Sequence, residues 1–260
     1  MNRFVLVSAF AALALGACIN TTGGDLIGDL PFRAGGAARD AGTPFTFTTP
    51  TGWTVTLQRA LIAAGPFYFN VDPPSTDEFR SGVVIMQATE QTIVNALDPT
   101  MKDVAGGANG ESGTAVAVEI GLLPPDQHDQ AADPDDAEKL GAGFAYVDGT
   151  AVMGATSVPF HGEVVIDQSL VTPTEPLADL QRIRGASVDL TFTAAPQTLE
   201  LRVDPTHWFD QSDFSQIATG APPPEGFTWT VDTTFAAQLL QGVKSETGVY
   251  QFDLVPQPGT

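Results

Sequence analysis

Short runs in which apolar and polar residues alternate recur along the chain after residue 43. Residues 53–57 alternate with a period of two, and so do residues 114–123, where Val116, Val118 and Ile120 would share one face. Alternation of this kind is typical of a strand with one buried and one solvated face. The pattern therefore predicts strands over both runs, with these valines and the isoleucine facing the core.

Further strand candidates are separated by turn residues and are found at 45–48, 61–69, 83–88, 144–152, 160–167 and 248–255. Residues 181–194 and 198–204 are predicted to form a hairpin, because both runs alternate around a short proline-containing turn. Residues 233–244 carry apolar side chains at helical spacing and are predicted to form a helix. The chain is therefore predicted to be all-β, a single β-sandwich-like domain over residues 44–260 with one short C-terminal helix.

Three segments lack a regular pattern. Residues 18–43 are rich in glycine and alanine and contain few large apolar side chains, so they are predicted to form a flexible tether, part of which could pack as an opening strand. Residues 102–113 are rich in glycine and are predicted to form a loop. Residues 124–139 are acidic and polar, which indicates an exposed loop.

The N-terminus has the organisation of a bacterial export signal. One charge at Arg3 precedes an uncharged run from Phe4 to Leu15, and small residues follow. This run is too short to span a bilayer, for which about 20 apolar residues are needed. Residues 1–17 are therefore predicted to be a cleaved signal peptide.

The end of this signal, Leu15-Gly16-Ala17-Cys18, resembles the lipobox of bacterial lipoprotein precursors. The resemblance implies that Cys18 receives a diacylglyceryl group, that the bond before it is cut, and that the new amino terminus is acylated. Ile19 follows the cysteine, and in such proteins an aspartate there favours retention at the inner membrane. The resemblance therefore implies a lipid anchor in the cell envelope, with sorting to the outer membrane. The segments 52–57 and 65–68 also resemble bacterial lipoproteins to which no function is attached.

The composition excludes one class of partner. The formal net charge is −20, and removal of residues 1–17 takes away a single charged residue, Arg3, which leaves −21. A balance of this kind repels nucleic acid and anionic lipid head groups. The acidic residues are dispersed along the chain, which favours a solvated surface over one cation site.

Sequence patterns of the common enzymes are missing. The chain contains no Gly-x-Ser-x-Gly, no His-Glu-x-x-His, no P-loop and no dinucleotide-binding fingerprint. Its single cysteine, Cys18, is assigned to the lipid, so it supplies neither a nucleophile nor a disulfide. We therefore expect a protein that is not an enzyme.

The histidines offer one alternative function. His161 and Glu163 are two residues apart and would project to the same face of a strand, where they could share a cation. His207 lies near several aspartates, and imidazole with carboxylate suits zinc or copper. The competing interpretation is that His161 is a surface residue of a strand, that His207 packs or caps at the start of a helix, and that His128 is solvated.

The aromatic residues leave a further choice open. Trp53, Trp208 and Trp229 could form a platform on which sugars stack, but the alternation around Trp53 favours core packing. The expected function is a membrane-anchored envelope lipoprotein that serves as a non-enzymatic binding or structural module. Its partners would be the membrane, through the anchor, and an envelope protein or small ligand. The alternative is a periplasmic zinc- or copper-binding protein that uses His161, Glu163 and His207.

Overall fold

The computed structural model describes residues 23–37, 45–74, 82–125, 134–166, 177–217, 227–230 and 233–257. Cys18 and His128 lie outside the described residues, as does the side chain of Trp229. The predictions of a signal peptide, of lipidation and of a solvated His128 therefore remain predictions.

Strands dominate the described part of the chain. They are β1 (Leu26–Leu30), β2 (Phe32–Gly36), β3 (Phe45–Thr48), β4 (Thr54–Ala64), β5 (Phe67–Asn70), β6 (Val84–Ala88), β7 (Thr92–Asn95), β8 (Lys102–Asp103), β9 (Ala108–Glu111), β10 (Gly113–Gly121), β11 (Ala145–Met153), β12 (Thr156–Val165), β13 (Arg182–Phe192), β14 (Gln197–Val203), β15 (Thr228–Thr230) and β16 (Tyr250–Pro256). The α-helices are α1 (Pro134–Leu140), α2 (Leu177–Leu180) and α3 (Thr234–Val243). Two 3-10 helices span Pro205–Phe209 and Phe214–Gln216.

The strands form three sheets. Sheet I has the order β1-β9-β6-β5-β10-β13, and sheet II has the order β16-β14-β2-β8. Sheet III has the order β15-β12-β11-β4-β3, and β7 pairs with the end of β4. Among the described strands, neighbours run antiparallel except for the parallel pairs β2 with β14 and β12 with β15. The all-β, sandwich-like class predicted from the sequence is confirmed.

Sheets I and II are joined by packed phenylalanine rings. Phe67 of sheet I lies with its ring centroid 5.1 Å from that of Phe32 in sheet II, at an interplanar angle of 90°. Phe69 of sheet I meets Phe252 of sheet II at 5.3 Å and 89°. Edge-to-face contacts of this kind add to the free energy gained from burying the rings. The core between the two sheets is therefore built around aromatic side chains.

A second aromatic cluster covers one face of sheet III. Phe214, on the second 3-10 helix, is fully buried and lies 5.5 Å from Trp53 and 5.1 Å from Phe160, measured between ring centroids. Phe235 of α3 lies 5.4 Å from Phe214. Trp53 is 2% exposed, which confirms the prediction that this residue packs in the core.

The strongest local patterns gave correct elements. The strand predicted over 53–57 is the first half of β4, and the candidates at 144–152 and 160–167 form the hairpin of β11 and β12. The helix predicted over 233–244 is α3, which begins after Thr233, where the side chain accepts a hydrogen bond from the backbone of Ala236.

Residues 26–30 and 32–36 of the predicted tether form β1 and β2, so the alternative that part of this segment packs as a strand is the correct one there. Phe32 and Ala34 are buried, and β2 lies between β14 and β8 in sheet II. The strand was hidden because glycine and alanine supply most of it, and its backbone hydrogen bonds come from partners distant in sequence. Residues 18–22 and 38–43 of the predicted tether lie outside the described residues.

The prediction that residues 116, 118 and 120 all face the core is wrong at Val116. Val116 is 36% exposed, whereas Ala115, Val118 and Ile120 are buried. The register of β10 against β13 shifts between Ala115 and Ala117, where a step of two residues along β10 matches a step of three along β13, so the extra residue lies in β13. The alternation along β10 is therefore unbroken, and Val116 lies on the same face as Val118 and Ile120, at the start of the strand where that face is less covered.

The hairpin predicted from 181–194 and 198–204 is also wrong. β13 pairs with β10 in sheet I, whereas β14 pairs with β16 and β2 in sheet II, so the short connection crosses between sheets. Each strand buries one face, so the alternation predicts both strands. It does not show whether the two strands pair with each other or belong to two different packed sheets.

Both predicted loops contain regular structure. The glycine-rich segment 102–113 contains β8 and β9. A side chain at Gly110 would place its Cβ 2.0 Å from the backbone oxygen of Ile85, so glycine here permits a close approach of β9 to β6. The acidic segment 124–139 runs into α1, whose buried Leu140 contacts sheet III. Acidic residues in the first turn of α1 favour the helix through its dipole.

No helix within the described ranges has the length and apolar composition that crossing a membrane requires.

Removal of the Phe214 ring tests the second aromatic cluster. Phe214→Ala is expected to lower the free energy of unfolding by about 3–5 kcal/mol, because it leaves a cavity among buried rings. Urea denaturation followed by circular dichroism measures the change. Val152→Ala, at a side chain that is 40% exposed, is the control and should stay within about 0.5 kcal/mol of wild type. An equal loss in both variants would contradict the assignment.

Candidate functional site

The structure places His161 and Glu163 on the same face of β12, as the sequence predicts. Both are partly exposed, while Phe160, before His161, and Val164, after Glu163, point into the core. His161 lies opposite Asp148 of β11 in the register of the hairpin. The strand therefore presents an imidazole and a carboxylate together.

Glu163 has a structural partner of its own. Its Oε2 accepts hydrogen bonds from the backbone nitrogens of Ala142 at 2.9 Å and Gly143 at 3.2 Å, directly after α1. These bonds fix the turn that follows the helix. The carboxylate therefore already holds backbone groups of that turn.

His207 belongs to a different part of the fold. It lies on the first 3-10 helix, where its Nδ1 is 2.8 Å from Oδ2 of Asp210. A side chain added at Gly248 would come within 2.8 Å of the His207 ring, so the ring packs against this glycine backbone. The structure thus agrees with a packing role for His207 near the start of a helix.

The predicted metal ligands His161, Glu163 and His207 are not brought together. Among the described residues, no group of three or more histidine, cysteine or acidic side chains is arranged to hold a metal ion. Structural and catalytic zinc sites need three or four converging protein ligands. Spacing along a strand reveals a pair of candidate ligands but not a third residue from another element.

A hollow lies beside β1, among the described residues. It is a half-open groove of about 460 Å³, lined by residues 26–28 of β1, 84–87 of β6 and 109–111 of β9. We refer to it as the β1 groove. It opens at the edge of sheet I, because β1 is the terminal strand of that sheet.

Glycine and an irregular edge account for the hollow. The pairing of β1 with β9 shifts register between Ile27 and Leu30, and Asp29 adopts a φ of +53°. Aspartate tolerates this left-handed conformation better than most residues. A Cβ added at Gly28 would meet no atom within 4 Å, so this glycine leaves space that a side chain would fill.

The groove combines apolar walls with a few polar groups. Leu26 is 80% exposed, and Ile85 is buried in its wall. The side chain of Gln87 donates to that of Asn109 at 3.4 Å. Small-molecule sites are typically concave and largely apolar with a small number of polar groups that fix orientation.

One carboxylate lies in the groove. Glu111 is 5% exposed and faces Leu26 across the pairing of β1 and β9. Asn109 and Glu111 are two positions apart on β9 and project to the same side. No lysine, arginine or histidine occurs among the described residues that line the groove.

The sequence did not reveal this site. Its three segments fell in a predicted tether, a predicted strand and a predicted glycine-rich loop. Leu26 and Glu111 are paired although 85 residues separate them. The available signal was the apolar spacing of Ile27, Leu30 and Phe32, which could have identified the strands but not their partners.

A cluster of charged side chains on sheet I, apart from the groove, has a structural role. Glu119 of β10 is 1% exposed, and its Oε1 lies 3.3 Å from a guanidinium nitrogen of Arg182 on β13. Arg182 and Arg184 both contact the carboxylate of Asp179 on α2. Lys244, after α3, donates to the backbone oxygen of Asp179 at 2.6 Å. The cluster therefore joins α2 and the end of α3 to the sheet.

Replacement of Arg182 tests whether this cluster stabilises the fold. Arg182→Met is expected to lower the free energy of unfolding by about 3–5 kcal/mol, because it leaves a buried carboxylate without its cation. The double variant Glu119→Leu/Arg182→Met should recover most of the loss in urea denaturation. Arg33→Met is the matched control, since Arg33 and Asp103 form an exposed pair at 2.9 Å that is worth about 0–1 kcal/mol. A loss at Arg182 no larger than at Arg33 would argue against a structural ion pair.

Comparison of the chain with protein-family models, with curated proteins and with solved structures found no match. The function must therefore be inferred from the sequence and the geometry.

Proposed function

We propose that the chain is a lipoprotein of the bacterial cell envelope, anchored through Cys18 and sorted to the outer membrane, that binds a small ligand without catalysing a reaction. The anchor is supported by the lipobox Leu15-Gly16-Ala17-Cys18 and the export signal before it. A diacylglyceryl cysteine supplies two acyl chains, and stable anchoring needs more than one.

The observation that supports a binding role is the β1 groove. Its volume of about 460 Å³ lies within the range of about 300–1,000 Å³ that small-molecule pockets occupy. Exposed apolar surface at a concave site is a common mark of ligand binding.

The chemistry of the lining supports binding over catalysis. Glu111 is the one ionisable side chain among the residues that line the groove, all of which are described. General acid–base and nucleophilic mechanisms use a nucleophile or a second titratable group within hydrogen-bond reach. The groove offers amides and apolar side chains instead.

The proposed anchor lies close to the groove in the sequence. Cys18 is eight residues before Leu26, a length of at most about 26 Å at about 3.3 Å per residue. A lipid-anchored protein would therefore hold the β1 groove close to the bilayer surface. Ligands that partition to that surface would be presented to it.

The anchor is tested by removing the cysteine. Cys18→Ala is expected to shift the protein from the membrane fraction to the soluble fraction or leave an uncleaved precursor, and to abolish incorporation of a labelled fatty acid. Fractionation, labelling and intact mass measure these changes. Thr22→Ala, outside the lipobox, is the control and should behave as wild type. Fatty-acid labelling that persists in Cys18→Ala would refute the anchor.

A further inference from the structure

Another groove lies between the outermost strands of sheets I and II. It has a volume of about 510 Å³ and is lined by residues 187–189 of β13 and 250–253 of β16. We refer to it as the β13–β16 groove. β13 ends sheet I at the edge opposite to β1, and β16 ends sheet II; within the described chain the two strands do not pair with each other. The groove therefore separates two open sheet edges.

The backbone of β16 has hydrogen-bonding groups on its outer edge. Where the pairing of β14 with β16 begins, the backbone nitrogen of Asp204 donates to the oxygen of Val249 at 2.8 Å. Hydrogen-bonded positions alternate along an antiparallel pair, so the odd-numbered residues of β16 bond to β14. The even-numbered residues Tyr250, Phe252 and Leu254 therefore direct their N–H and C=O groups away from β14. No backbone hydrogen bond to these groups occurs among the described residues.

β13 offers backbone groups on the facing side. Ser187 lies opposite Ala117 of β10 in the register of the pair. The nitrogen of Gly121 on β10 donates to the oxygen of Pro66, next to β5, at 2.9 Å, so the odd-numbered residues of β10 bond toward β5. The N–H and C=O groups of Ser187 therefore point away from β10, on the side of the groove.

The rim of the groove is acidic. Asp189 and Asp253 are exposed residues of its lining, and no lysine, arginine or histidine occurs among the described residues that line it. A second copy of the chain, with a net charge of −20, would bring the same carboxylates to this edge and be repelled. A basic segment would be attracted, because complementary charge across an interface selects the partner.

The two faces of β16 differ in exposure. Phe252 is 9% exposed and faces the core, whereas Asp253 beside it is exposed. Residues opposite each other on neighbouring strands project to the same face. A strand paired with β16 would therefore alternate between a sheltered position beside Phe252 and a solvated position beside Asp253. Apolar side chains suit the first position, and lysine or arginine suits the second. Pro256 has no N–H to donate, so pairing would end at Leu254.

We propose that the β13–β16 groove binds an extended segment of a partner protein in which basic and apolar residues alternate. The segment adds a strand to sheet II by pairing its backbone with Tyr250, Phe252 and Leu254. Its apolar side chains lie beside Phe252, and its basic side chains approach the carboxylates of Asp189 and Asp253. In strand addition of this kind, backbone hydrogen bonds supply affinity and alternate side chains supply specificity. The site is separate from the β1 groove and does not rest on the ligand proposed to bind there.

The probe is an acetylated and amidated peptide of the sequence Lys-Val-Lys-Val-Lys-Val-Lys. It is titrated by calorimetry into the full chain in zwitterionic phosphatidylcholine nanodiscs, and empty nanodiscs supply the reference. A copy that is N-methylated at every backbone nitrogen keeps the side chains but cannot donate to β16. Its Kd is expected to be at least about tenfold higher, as the loss of one or two hydrogen bonds would give. The counterpart with glutamate in place of lysine is expected not to bind.

A variant of β16 tests the backbone pairing from the side of the protein. Leu254→Pro removes an N–H that points away from β14, so sheet II keeps its own hydrogen bonds, and the Kd of the peptide is expected to rise about tenfold. Leu254→Ala keeps this N–H and is the matched control, with an expected change of less than about threefold. Circular dichroism verifies that both variants are folded.

A charge variant tests the basic character of the partner. The double variant Asp189→Asn/Asp253→Asn is expected to raise the Kd of the peptide about fivefold, because two exposed ion pairs are lost. Asp25→Asn/Asp29→Asn removes two exposed carboxylates at the opposite edge of sheet I and is the matched control for net charge. Its effect should stay below about twofold, since these charges lie beyond the range of screening.

The outcomes are decisive in either direction. Equal binding of the N-methylated peptide, or equal Kd values for Leu254→Pro and Leu254→Ala, would overturn strand addition. Equal effects of the two charge variants would overturn the basic partner. A dimer of the full chain in zwitterionic detergent, detected by analytical ultracentrifugation and lost in Leu254→Pro, would assign the edge to a second copy and overturn the proposal. Where Leu254→Pro does not fold, the comparison of the two peptides on the unaltered chain still decides.

Discussion

The fold depends on the burial of aromatic rings between sheets that are not joined by strand pairing. Phe67 and Phe69 of sheet I contact Phe32 and Phe252 of sheet II, and Phe214 fills the space over sheet III. The sequence has one cysteine, Cys18, so no internal disulfide adds to this packing. Hydrophobic burial must offset the conformational entropy lost on folding.

This constraint explains which elements could be predicted from the sequence. Residues 53–57 and 233–244 carry large apolar side chains at a regular period, because each packs one face against the aromatic cluster, and both predictions were correct. Val116 was predicted to face the core because it shares a face with Val118 and Ile120, but that face is less covered at the start of β10, and the spacing of apolar residues does not show this. The segments 26–36 and 102–113 were misassigned because glycine interrupts their apolar pattern and their strands are held by neighbouring strands that are distant in sequence.

The candidate site was less predictable than the fold, for a related reason. His161 and Glu163 were found by their spacing, but Glu163 bonds to the turn after α1 and His207 lies elsewhere, near Asp210. The β1 groove is formed by three segments that meet only through the register of sheet I. Local patterns identify residue types that could act, whereas the position of a hollow depends on which distant strands become neighbours.

The order of the first two strands has a mechanical consequence. β1 is the outermost strand of sheet I, paired on one side with β9, whereas β2 lies inside sheet II between β14 and β8. A pull applied through the N-terminus reaches β1 first, and one edge strand can peel away while β2 holds the rest of the domain together. Peeling β1 removes Leu26 and Gly28, one wall of the groove. Tension on the N-terminal segment would pull β1 away from β9. A ligand bound in the groove, as proposed, would hold the same short strand in place.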